Sequence, residues 1–116
     1  MIIYNLIKEY GSTELARKAG LDESTIRRLK KTRSAKVDTM FKILNALGFE
    51  IEGDPIEDLR TALKERKYSY EVISKISGVP VSTIENFTYS NSIPLWHSMV
   101  ALGQALDVKF YNKFIG

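Results

Sequence analysis

Residues 12–31 read STELARKAGLDESTIRRLKK, and the way the chain turns in the middle of that stretch decides the fold. The run TELARKA puts Leu15, Ala16 and Ala19 on one helical face, with Ser12 expected as its cap. Gly20 is expected to stop it, because glycine takes a left-handed backbone at little cost. Asp22 is a good N-cap for a second helix whose Ile26 and Leu29 face inward while Glu23, Ser24, Arg27, Arg28 and Lys31 point outward. Small Ala19 and Gly20 are expected to let the two helices cross closely at a steep angle, with Ile26 pinning the second and its first turns projecting.

The flanking sequence is helical too. Ile3, Leu6, Ile7 and Tyr10 recur at helical spacing up to Gly11, and after a polar loop residues 37–47 place Val37, Met40, Phe41, Leu44 and Leu47 inward, with Gly48 as the stop. The whole pattern is then written again. A shift of 58 sets Leu15 on Ile73, Gly20 on Gly78 and Ser24-Thr25-Ile26 on Ser82-Thr83-Ile84. After one extra loop residue, a shift of 59 sets Val37, Met40, Ile43, Ala46 and Leu47 on Trp96, Met99, Leu102, Ala105 and Leu106. The second copy is expected from about Ile56, with Ser69 as cap, Gly78 as the tight turn and Pro94 opening the last helix. EGDPIEDL reads as the boundary: Gly53 breaks, Asp54 caps and Pro55 starts the next helix, dividing the chain into 1–53 and 54–116. FEIEG at 49–53 and VKFYN at 108–112 alternate with period two. Two alternatives stand for them, a small two-stranded β ribbon or loop-like connectors with buried aromatics. The expected fold class is therefore all-α, in two similar halves.

With 116 residues the chain suits one compact domain, or two very small ones sharing a core. It has no cysteine, which excludes disulfides and thiolate metal sites and permits a reducing compartment. The opening MIIYNLIKEYG lacks a basic leader and a small-residue cleavage site, and no apolar run approaches the roughly 20 residues of a membrane-spanning helix. The expectation is a soluble, cytoplasmic protein with no membrane partner.

Basic residues outnumber acidic ones only 17 to 14, but the excess is localised. Residues 1–53 hold ten basic and seven acidic side chains, whereas 54–116 hold seven of each. Between Ser24 and Lys36 there are six cations and no acid. A solvated helix face would read the same way in isolation. On a helix that the turn makes project, the cluster points to nucleic acid.

STELARKAGLDESTIRRLKK followed by VDTMFKILNALGF resembles the phage-repressor-like (XRE/Cro) helix-turn-helix family across nearly the whole first half. DTMFKILNALGFEI, with so short a recognition region, also looks like the addiction-module antidote branch of that family, and VISKISGVPVSTIENF with WHSMVALGQALDV matches the pattern more weakly. The resemblance implies two tandem lambda-repressor-like helix-turn-helix units that bind double-stranded DNA as a homodimer, the third helix entering the major groove. Carried over position by position, Ser12 takes the place of the phosphate contact from the second helix, where the family usually has Gln. Glu23, Ser24, Arg27 and Arg28 take the places that read base edges. Their chemistry agrees: a guanidinium binds guanine in a fork, Glu accepts from cytosine, and Ser adapts. Lys30, Lys31, Arg33 and Lys36 would hold the phosphate backbone.

In the second half the equivalent outward residues are Val81, Ser82, Glu85, Asn86 and Tyr89, so a phosphate surface is missing. One arrangement has the first half bind DNA while the second, with exposed Tyr89, Trp96 and Phe87 nearby, stabilises the fold or forms a dimer. The other has both halves grip a pseudo-palindrome, Asn86 reading adenine or Val81 a thymine methyl. Trp96, Met99 and Leu102 at helical spacing are core residues first. His97 has no cysteine or second histidine beside it and reads as a surface residue. Glu50, Glu52, Asp54, Glu57 and Asp58 read as a solvated turn. No phosphate loop and no nucleophile, base and acid set is visible, so neither an enzyme nor a cofactor is expected. The function expected is a sequence-specific transcriptional regulator that represses by covering a promoter. The alternative is an antitoxin-type interaction module that neutralises a partner toxin and autoregulates through DNA.

Overall fold

The computed structural model describes residues 2–111, with the side chain of Ile2 left aside. Eight α-helices follow one another among these residues: α1 (Ile2–Glu9), α2 (Ser12–Ala19), α3 (Glu23–Thr32), α4 (Val37–Ala46), α5 (Pro55–Lys64), α6 (Tyr70–Ser77), α7 (Val81–Tyr89) and α8 (Trp96–Leu106).

The duplication read from the sequence reappears in the element boundaries. α6 and α7 begin 58 residues after α2 and α3, and α8 begins 59 after α4. Packing follows the same scheme. α2 lies against α3 and α4 as α6 lies against α7 and α8, and α1 touches α3 as α5 touches α7. Leu15 and Ile73, Ile26 and Ile84, Leu29 and Phe87, and Met40 and Met99 are buried at matching positions. The first helix of each half does not share the register, since α5 is longer than α1 and is followed by a longer connection.

Local chemistry explains most boundaries. Gly20 adopts φ 68°, its N–H bonding Arg17 O at 3.4 Å while Leu21 N–H reaches Ala16 O at 2.9 Å, the paired bonds of a Schellman ending. A Cβ on Gly20 would meet nothing within 4 Å, so the positive φ, and not a close helix crossing, is what demands glycine there. Asp54 Oδ1 accepts from Glu57 N–H at 3.2 Å with Pro55 at the start of α5, and Ser69 Oγ accepts from Val72 N–H at 3.3 Å. Gly53, at φ 63°, breaks the chain ahead of Asp54.

Two starts differ from expectation. Ser12 is the first residue of α2 and Gly11 is its cap, because the Gly11 carbonyl already accepts from Leu15 N–H at 2.9 Å. α8 opens at Trp96 with Leu95 as cap, two residues beyond Pro94. The Trp96 N–H donates to Ala35 O in the first half at 2.9 Å, so the helix begins where its first amide has a tertiary partner.

One continuous core runs through both halves, and α4 packs on α8. Trp96 stands at the junction, fully buried, with its ring 6.0 Å from Phe41 in an edge contact, 5.8 Å from Phe110 and stacked 6.0 Å from Tyr111. Phe87 is also fully buried, so of the aromatic trio read near the second surface only Tyr89 is exposed. The stretches 49–53 and 108–111 form no strand among the described residues. Asn112, the last residue of the alternating stretch, lies outside the described residues. Phe49, Phe110 and Tyr111 turn their rings into the junction instead, Phe49 and Tyr111 meeting edge-on at 5.3 Å. No described helix is long and apolar enough to cross a membrane.

Candidate nucleic-acid interface

α3 is held by its buried Ile26 and Leu29, which sit three apart on one face. The opposite face carries Ser24, Arg27, Arg28 and Lys31, all exposed, and the chain beyond its C-terminus carries exposed Arg33 and Lys36. Asp22 caps through its backbone carbonyl, which accepts from Thr25 N–H at 3.0 Å, and its side chain makes no cap bond. Ser12 is half-buried as the first residue of α2.

The first turn of α3 is tied to the first turn of α2. Thr13 Oγ1 donates to Glu23 Oε1 at 2.8 Å, and Arg27 Nη2 donates to the same oxygen at 2.5 Å. The Thr13 hydroxyl first, and then the Arg27 guanidinium, hold the half-exposed Glu23 carboxyl below the usual glutamate range. Arg27 nevertheless keeps 67% of its side chain exposed. Two residues read as separate base contacts thus form one ion pair in the free protein. Thr13 escaped the sequence reading because its partner lies ten residues away, on another helix.

Lys30 is placed differently from its neighbours. It is half-buried, and its ammonium donates to the Tyr10 carbonyl just past the end of α1, where unpaired carbonyls favour a cation. Lys18 donates to the Tyr10 hydroxyl at 2.9 Å, which raises its pKa above the ordinary lysine value. Tyr10 therefore clasps α2 and α3 together. Of the four cations read as backbone clamps, Lys31, Arg33 and Lys36 are left facing solvent, and Lys30 serves the fold.

Arg33 closes α3 in a left-handed conformation, φ 55°, with its N–H on Leu29 O at 2.8 Å and its carbonyl accepting from the Tyr4 hydroxyl at 2.8 Å. Burial pushes the Tyr4 phenol up, with the Arg33 charge opposing. Between α3 and the start of α4 runs an open cleft of about 600 Å³ bordered by Thr25, Arg28, Thr32, Ser34, Lys36 and Thr39. It carries two cations and four hydroxyls and no carboxylate.

α7 has a different surface. Ser82, Glu85, Asn86 and Tyr89 are exposed, Val81 is half-buried against the core, and the helix bears no cation. The cations nearest to it turn inward: Arg60 of α5 lies 4.7 Å over the Phe87 ring, donates to Phe87 O at 3.0 Å and pairs with Glu57, while Arg66, just past the end of α5, lies 3.8 Å over the Tyr70 ring. His97 is exposed, and among the described residues no group of three or more acidic or histidine side chains is placed to hold a metal. Comparison with protein-family models, with curated proteins and with solved structures finds no match to this chain.

Proposed function

We propose that the chain is a sequence-specific DNA-binding transcriptional regulator, a repressor that covers its promoter and inserts α3 into the major groove. The supporting observation is the outer face of α3, where Ser24, Arg27, Arg28 and Lys31 are exposed opposite buried Ile26 and Leu29, with no carboxylate from Ser24 through Lys36. In this reading Arg27, Arg28, Glu23 and Ser24 read base edges, and Lys31, Arg33 and Lys36 neutralise phosphates. The first half does the binding, because α7 offers no cation for counterion release. The chain is proposed to act without catalysis of its own.

Selection from a randomised duplex pool, followed by affinity measured between about 50 and 200 mM salt, tests this. An enriched motif whose affinity falls steeply with salt supports the regulator. No enrichment, or enrichment that Arg27→Ala leaves unchanged, overturns it.

The second reading, an antitoxin-type module that binds a partner toxin, draws on exposed apolar side chains at Tyr89, Ile93 and Leu95. Salt-insensitive capture of a protein with no duplex preference would favour it.

A further inference from the structure

The internal duplication acts as a control on the surface of α6 and α7, because each exposed residue on them has a counterpart in the same helix position on α2 and α3. On α2 the outward positions Glu14 and Lys18 are charged, and Lys18 is engaged with Tyr10 just before the Gly11 cap. Shifted by 58, those positions are Val72, Ile76 and Tyr68 just before the Ser69 cap, and they are 39%, 63% and 60% exposed. The scaffold is retained while a charged face has become apolar. Packing inside the chain does not explain that change, since α6 already buries Tyr70 and Ile73 on its other side.

Val72 and Ile76 lie four apart and share one side of α6, and exposed Glu71 and Lys75, also four apart, share the adjoining flank. In an antiparallel two-fold pairing of two such helices, Val72 of each copy meets Ile76 of the other. The same flanks then face each other, which sets Glu71 of each copy near Lys75 of its partner. The surface is complementary to itself in shape, polarity and charge.

We propose that this face of α6 is a self-association surface, and that its occupant is a second copy of the same chain. It leaves α3, which belongs to the other half, free on each protomer. Dimerisation here does not depend on DNA binding, so Arg27→Ala, which tests the DNA reading, leaves it intact.

The experiment is sedimentation velocity on the full chain over a dilution series, with no DNA present. The wild type is expected to dimerise. Val72→Glu combined with Ile76→Glu sets like charges against each other across the two-fold and is expected to weaken the dimer about 100-fold, while helical circular dichroism stays unchanged. Glu71→Lys alone is expected to weaken it about tenfold, and adding Lys75→Glu to restore it. A wild type that is monomeric throughout, including one that instead captures another protein, overturns the proposal. So does a Val72→Glu, Ile76→Glu variant that dimerises as the wild type does, or a Glu71→Lys loss that Lys75→Glu fails to recover.

Discussion

Arg27 and Lys31 sit one turn apart on α3, both exposed, yet they are placed for different work. Arg27 lies within the first turns and is steered by Glu23, so Arg27→Ala is expected to cost roughly 1–3 kcal/mol of DNA affinity and to relax preference at one base pair. Lys31→Ala is expected to weaken all duplexes alike and to flatten the salt dependence by about one phosphate. Binding isotherms on the selected site and its single-base variants distinguish the two. Equal losses from Glu85→Ala and Asn86→Ala would assign DNA reading to both halves. Glu23 offers a second test by NMR titration. Its carboxyl is expected to titrate below the ordinary glutamate range, and Thr13→Val to move it back up. Because the folded pKa is depressed, the stability contributed by these contacts is present above the unfolded glutamate value and is lost as pH falls through the folded one.

At the scale of the elements, two backbone positions carry opposite expectations. Arg33 ends α3 at φ 55°, a conformation that side chains resist, so Arg33→Gly is expected to raise stability by about 0.5–1 kcal/mol in urea unfolding. The same variant is expected to lower affinity for every duplex, which separates its structural from its electrostatic effect. Gly103 in α8 has ordinary helical geometry, but a Cβ there would lie 2.5 Å from Val108 O, where the chain folds back after the helix. Gly103→Ala is therefore expected to cost about 1–3 kcal/mol. The first-half counterpart, one shift of 59 earlier, is Leu44, so comparison of the two copies alone gives no warning of it. Helix interiors were legible because apolar spacing reports burial directly, as at Met40 and Leu44 or Met99 and Leu102. The starts of α2 and α8 shifted because a backbone amide joins a helix wherever it finds an acceptor, and for Trp96 that acceptor is Ala35 in the other half.

For the whole molecule the question is whether two halves fold as one. Trp96 is the only tryptophan and touches Phe41 from the first half and Phe110 and Tyr111 from the second. Its fluorescence and helical circular dichroism are expected to report a single coincident thermal transition, and Trp96→Ala to cost about 3–5 kcal/mol. Two separate transitions in the wild type would show independent halves. The helices, the duplication and the side of α3 that faces water were legible in the residues alone, since periodicity, caps and glycine stops are properties of neighbouring residues. It took the packed helices to show that Lys30 serves Tyr10, that Thr13 holds Glu23, and that aromatic residues of the second alternating stretch lie against Trp96. Each of these joins residues distant along the chain, and a long side chain or an aromatic ring takes its place from whatever the packed helices bring within reach.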